Sequence, residues 1–422
     1  MKKTIELLAD IPRVNRIFTL LCFAVPPALG SVVSFLFNGG GLGCLYYALR
    51  GKIELAATRE VRVLSILFLL FVSANLLAAV VNGSAQSKPA ELLALITFAL
   101  FPFSYAYWSI SRKEEIVASA VWGAAIACVS AFIFALVQIA LFPRDRVEGG
   151  AGNPLVFATV IVVAICVVCC GILLMNTRYR RVLAGAAICG AMALILSQSR
   201  SPMAILAVNL VVLFAVFGRM GRLRRLWVPI VAVLLIAGTV ISTGVQVPYV
   251  SSRFEQISED WQEITDKGDY SSSSGIRLAI WEIGIDMWKE SPWFGHGRRF
   301  AAEEMNRRLL ADHGIDKSFT HFHNFVLQAL VQSGAVGLIG LIAMFGYAAF
   351  LAIRTISTSM NHEQRFGAAL MLVALLTYAG TGMTNIMFGH DILDAVFMVC
   401  MVPGTYLAVG RSMAAQRSSD SS

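Results

Sequence analysis

The sequence predicts an all-α protein that crosses a membrane about twelve times and carries one long helical loop on its outer face. Three observations predict it. Of the 422 residues, 57% are apolar and only 14% are charged, against roughly 25% charged in a soluble domain. The mean hydropathy is +0.71. The apolar residues also fall into runs of about 20, the length that spans a bilayer as a helix. These figures exclude a soluble globular protein, a disordered chain and a disulfide-knitted secreted module.

Clear apolar runs lie at 63–82, 91–110, 115–142, 154–175, 180–197, 201–218, 226–247, 334–353, 366–387 and 391–410. The stretch from Ile17 to Leu49 is too long for one crossing. It holds Pro26-Pro27 and Gly39-Gly40-Gly41, so one helix or a tight pair are both open. Charge decides between them. With a pair and an inner N-terminus, 21 of the 34 Lys and Arg fall in inner segments. The short outer loops then keep only Lys88, Arg144, Arg146 and Arg200. A single crossing inverts every later loop and breaks the positive-inside pattern. The expected layout is therefore nine helices over 1–247, a long outer loop over 248–322, three helices over 323–410, and an inner tail over 411–422. Lys2 and Lys3 precede the first run without a convincing cleavage site, which reads as a retained anchor.

The net charge of +8 belongs to this topology signal and does not indicate nucleic acid. All eight cysteines lie in apolar runs. A thiolate there is costly, so Cys166-Val-Val-Cys169-Cys170 reads as small packing residues, with no disulfide framework in the loop. The loop holds 13 acids, 9 bases and four of the six histidines. Ile276, Ile280, Ile283 and Met287 follow helical spacing, as does Phe300 to Leu310. The loop is too small for a separate catalytic domain and large enough to cover a cavity between helices.

Candidate chemistry sits on the outer face. Arg200, in SQSRSP, either anchors at the interface or binds phosphate, with Ser199 beside it. Arg277 follows four serines and a glycine at the start of a predicted helix. A basic residue there opposes the helix dipole, and a bound anion resolves the conflict. A solvated arginine is the other reading. His323 stands where the loop re-enters the membrane, beside His321 and Asn324. A neutral imidazole there can take a proton from a sugar hydroxyl. Arg146 and Asn153 flank the glycines of PRDRVEGGAGNP, a ligand-approaching loop or an ordinary turn. His390 and Asp391 orient a sugar or cap the last helix. No second His or Cys pair stands at metal-ligand spacing to join His321 and His323, so no metal and no cofactor are expected. A phosphate-binding GxxxxGK[ST], an outer Asp-x-Asp and a GxSxG are all missing. Few acids lie within the helices, which weakens a proton-coupled transporter.

Together these pieces resemble the O-antigen ligase family, within the group of O-antigen ligases, polymerases and protein O-oligosaccharyltransferases. The matching residues are Ser199-Arg200, the G-x-R-x-x-x-W around Arg277 with Pro-Trp-Phe-Gly-x-Gly downstream, and His323-Asn324 followed by Gly334 and Gly337. One long loop and a short tail favour the ligase branch. The resemblance implies a GT-C-like enzyme of the Gram-negative inner membrane with a periplasmic site and both termini cytoplasmic. It implies a metal-independent, inverting glycosyltransferase that moves O-antigen from undecaprenyl diphosphate to a sugar hydroxyl of lipid A-core. Arg200, Arg277 and Arg146 would hold the diphosphate and His323 would be the base, supported by Asn324, His321, Ser199, Asn153, His390 and Asp391. A polymerase, a protein glycosyltransferase and a lipid or polysaccharide transporter are the competing readings.

Overall fold

A computed structural model describes residues 11–51, 55, 58–82, 93–142, 146–175, 177–218 and 270–410. The predicted crossing at 226–247, the first part of the long loop and both chain ends lie outside them. Among the described residues the ordered elements are helices and no strand occurs.

The Ile17–Leu49 stretch is a pair, α1 (Ile11–Ala24) and α2 (Val32–Leu49). Pro26 and Pro27 end α1 and open a four-residue turn, Pro26–Leu29, that closes at Gly30. Next come α3 (Arg59–Val81), then α4 (Leu93–Ala99) and α5 (Phe101–Ser109). The single run expected over 91–110 is thus divided at Leu100. Pro102 supplies the reason, since it offers no amide to the preceding turn. The bundle continues with α6 (Lys113–Leu141), α7 (Pro154–Leu174), α8 (Thr177–Leu196) and α9 (Arg200–Gly218). After the loop helices α10 (Ser273–Glu290) and α11 (Arg298–His313) come α12 (Phe325–Thr358), α13 (His362–Gly382) and α14 (Asp391–Val409).

Nine helices among the described residues are long and apolar enough to cross a membrane. They are α2, α3, α6 to α9 and α12 to α14, which makes the chain a multi-pass membrane protein. Burial sorts them. The apolar spans of α7 and α14 are each 94% buried, whereas those of α3, α6 and α12 are mostly uncovered. A helix apolar on every side belongs at the centre of a bundle, so α7 and α14 form its middle. Seven of the eight cysteines are buried and Cys189 is half-buried, all as free thiols in packing positions.

Two features depart from a simple bundle. Helix α12 starts nine residues before the expected crossing at 334, and breaks at Gly334, where φ is 66° and ψ is −167°. The loop helices have an apolar core of their own. Ile276, Ala279, Ile280, Ile283 and Met287 of α10 pack with Ala301, Met305 and Leu309 of α11 and with Phe322, Leu327 and Val331. The same core therefore seats the loop on the first turns of α12 and fixes where the His323 segment lies.

Candidate functional site

The α8–α9 turn is built first. Ser197 Oγ donates to the Leu194 carbonyl (2.6 Å) and accepts from the Ser199 amide (3.3 Å). Ser199 Oγ donates to the Pro154 carbonyl at the start of α7 (3.2 Å). Arg146 crosses this turn, donating to the Ser197 carbonyl (3.2 Å) and to Ser199 Oγ (2.9 Å). Its guanidinium is a brace for the turn. Gln198 is held at φ 52°, and Arg200 emerges as the first residue of α9 with its side chain exposed. A cation at a helix N-terminus opposes the dipole there, so this position favours an anion.

The histidine segment faces that turn. Phe322 is fully buried, and its backbone is fixed from two sides. Its amide donates to Gln328 Oε1 (2.8 Å) and its carbonyl accepts from Trp281 Nε1 (2.9 Å). His323 follows at φ 52°. Among the described residues, Gln198 and His323 are the two non-glycine positions in the left-handed region. Such strain persists where surrounding structure enforces it, often at functional sites. One contact chain links His323 to the first turn of α9: His323 Nδ1 lies 3.4 Å from the Thr384 carbonyl, and Thr384 Oγ1 donates to Ser201 Oγ at 2.9 Å. A carbonyl only accepts, so this contact puts the proton on Nδ1 and leaves the Nε2 lone pair for a substrate.

His321 packs beside His323, with ring centres 4.2 Å apart and ring planes tilted by 58°. Burial, with His323 and His390 nearby, pushes its pKa down to about 3. The His323 pKa is lowered by burial and by the Arg277 charge, against the opposing Thr384 carbonyl. Burial and Arg298 likewise lower that of His390, against Asp391. All three imidazoles are thus neutral at neutral pH. His321 Nε2 and Asn385 Nδ2 are buried without a hydrogen-bond partner among the described residues.

Several expected site residues have structural duties. Asn324 and Asn153 cap α12 and α7, each side chain accepting two backbone amides. His390 occupies the N-cap position of α14 without a side-chain cap bond, and its Nδ1 lies 3.4 Å from Asp391 Oδ1. Arg277 is the fifth residue of α10, one place beyond the expected first turn, because Ser272 caps the helix. The glycine loop approaches its own chain: a Cβ on Gly150 would lie 2.1 Å from the Ala28 carbonyl oxygen.

The sequence alone does not single out Arg298 or Thr384. Arg298 donates to the Gly389 carbonyl, and the Gly389 amide donates to both oxygens of the buried Asp394. A basic residue opening α11 carries the same dipole conflict that marks Arg277, and that is the available signal. Thr384 meets His323 through its backbone carbonyl, which any residue has, and gives none. Arg298 and Asp394 also line a cavity of about 90 Å³ between α3, α4 and α12, walled by Phe71, Phe98, Phe325 and Phe388. No group of three or more metal-ligating side chains is gathered among the described residues.

One patch at the end of the bundle thus joins the α9 start, His321, His323, Arg277, Arg298 and His390. Residues 185–342 match the O-antigen ligase family. The match runs from within α8 into α12 and includes Arg200, Arg277, His323 and the Gly334 break. The O-antigen ligase of Escherichia coli K12 is 22% identical over 158 residues, covering 36% of this chain and 35% of that protein. An uncharacterized protein of Haemophilus influenzae Rd is 24% identical over 159 residues, 37% of this chain and 39% of that one. The chain therefore spans little more than a third of the curated relatives it matches.

Proposed function

We propose that this protein is an O-antigen ligase, a metal-independent inverting glycosyltransferase of the Gram-negative inner membrane. Its site faces the periplasm and both termini are cytoplasmic. The donor is O-antigen on undecaprenyl diphosphate, and the acceptor is a sugar hydroxyl of lipid A-core. The observation that carries this reading is His323 itself, held at φ 52° with Nδ1 against the Thr384 carbonyl, in the same patch as Arg277 and the α9 start that bears Arg200.

The chemistry follows from the charges. The acceptor oxygen attacks the anomeric carbon while His323 Nε2 takes its proton. The bond from that carbon to the diphosphate oxygen breaks, and the lipid diphosphate leaves with the electron pair. Negative charge develops there, so fixed cations stabilise the transition state more than the ground state. Arg200, at the α9 start, and Arg277, beside His323, carry that task. Arg146 supports it by holding the turn that aims Arg200. Burial keeps His323 unprotonated beside Arg277, as a base requires.

The test is transfer by purified protein from undecaprenyl diphosphate-linked glycan to lipid A-core, with EDTA and without nucleotide. Product from wild type, lost in both His323→Ala and Arg200→Ala, is the expected outcome. Chain growth on the donor with none on lipid A-core makes the protein a polymerase. Inactivity on both acceptors by folded protein removes the transferase reading and returns transport.

A further inference from the structure

The segment Pro292–Gly297 between α10 and α11 carries exposed aromatics: Trp293 is 64% and Phe294 38% accessible. Two helices measure its depth. The Arg354–Glu60 ion pair (3.5 Å) joins α12 and α3 at the end opposite the site. From Arg354, twenty residues back along α12 reach Gly334, about 30 Å at 1.5 Å per residue. From Glu60, α3 climbs to Asn82 over about 33 Å by the same rise. A hydrocarbon core is also about 30 Å thick. Gly334 and Asn82 therefore both mark its boundary on the site side.

Pro292–Gly297 is bonded to both markers. Asn82 Nδ2 donates to the Gly295 carbonyl (3.0 Å). The break at Gly334 frees amides and carbonyls of α12, and the segment pairs with them. Ala335 N donates to the Pro292 carbonyl (2.8 Å) and Val336 N to the Trp293 carbonyl (3.3 Å). In return, His296 N donates to the Val331 carbonyl (2.8 Å) and Gly297 N to that of Gln332 (3.0 Å). Irregular backbone at membrane depth needs such internal pairing. The spanning helices also expose apolar residues next to both markers along the chain: Val80 and Val81 directly precede Asn82 on α3, and Ile339 follows Gly334 by about one and a half turns of α12.

We propose that Pro292–Gly297 is a membrane-interface wedge whose Trp293 and Phe294 side chains lie among lipid at the edge of the site-side leaflet. Its partner is the bilayer itself, met where amphipathic aromatic rings are favoured. Because α11 starts at the next residue, with Arg298 reaching Gly389, the wedge ties the height of the loop helices to the membrane surface. The proposal requires a membrane protein and is independent of the reaction assigned to the site.

The test uses full-length protein in phosphatidylcholine nanodiscs. The emission of wild type minus that of Trp293→Phe isolates the Trp293 signal. Acyl chains brominated near the headgroup should remove most of it, while aqueous iodide leaves it nearly intact. Strong iodide quenching with no effect of bromine overturns the wedge. A second measurement needs no variant. Wild-type protein is irradiated in nanodiscs containing a lipid with a photoreactive group near the glycerol. Labelled peptides should include 292–297. Labelling of the α12 span without this segment overturns the proposal.

Discussion

Gly334 and Trp293 touch so closely that a Cβ on Gly334 would lie 2.2 Å from the Trp293 carbonyl. Gly334 also sits at φ 66° and ψ −167°, a region that is nearly glycine's alone, where a side chain costs roughly 1–3 kcal/mol before any clash. Gly334→Ala should therefore fail twice, in conformation and in space, and push Pro292–Gly297 off α12. Gly346 in the same helix faces open space, with nothing within 4 Å of where a Cβ would stand. There alanine should gain up to about 1 kcal/mol. Thermal unfolding of the two variants in one detergent checks the contrast. Equal effects would mean that the break is not maintained by this contact.

The pH dependence of transfer reports on His323. Its pKa is lowered by burial and by Arg277, and the base is the neutral form. The rate should therefore hold as pH falls through the ordinary histidine value of about 6.5 and decline only below it. Arg277→Gln removes a charge that lowers the pKa, so in its residual activity the acid limb should move upward. Burial remains, so the limb should not pass 6.5. A wild-type limb above that value, or one unmoved by Arg277→Gln, would separate His323 from the proton transfer.

Arg200 and lysine make a sharper comparison than Arg200 and alanine. A guanidinium holds a diphosphate with a planar fork, whereas an ammonium offers a point charge. Arg200→Lys should keep the fold and lose on the order of 10²-fold in rate, the scale of removing one transition-state donor. Full activity in Arg200→Lys would reduce Arg200 to a general positive charge at the α9 start.

Much of this architecture is legible in single residues. Asn153-Pro154 opens α7 as its capping asparagine and first-position proline require, and the predicted run of 154–175 ends one residue past the observed helix. Pro26-Pro27 divides the first stretch for the same local reason. The break in α12 is not legible, because the groups that repair it come from Pro292–Gly297, some forty residues away. Arg298 is hidden similarly: the Gly389–Asp394 turn it holds is 91 residues distant. Ser199 reads in the sequence as a partner of Arg200 at a phosphate, yet it bonds to the Pro154 carbonyl and to Arg146. Local chemistry marks where helices begin, whereas long-range pairing decides which polar groups remain for a substrate.

Arg365 supplies a test at the end opposite the site. It is 1% exposed, and its guanidinium donates to the Ser359 carbonyl (2.8 Å), the Ile356 carbonyl (3.1 Å) and the Val216 carbonyl. Those carbonyls belong to the C-terminal ends of α9 and α12, whose dipoles favour a cation. Arg365→Met keeps much of the volume but leaves buried carbonyls unpaired, at about 1–3 kcal/mol each. The variant should unfold at a clearly lower temperature. None of these groups touches His323 or Arg200, so the rate per folded molecule should stay near wild type. A variant as stable as wild type would show that the three carbonyls find other partners. A stable variant that loses transfer would instead require coupling between the two ends of the bundle.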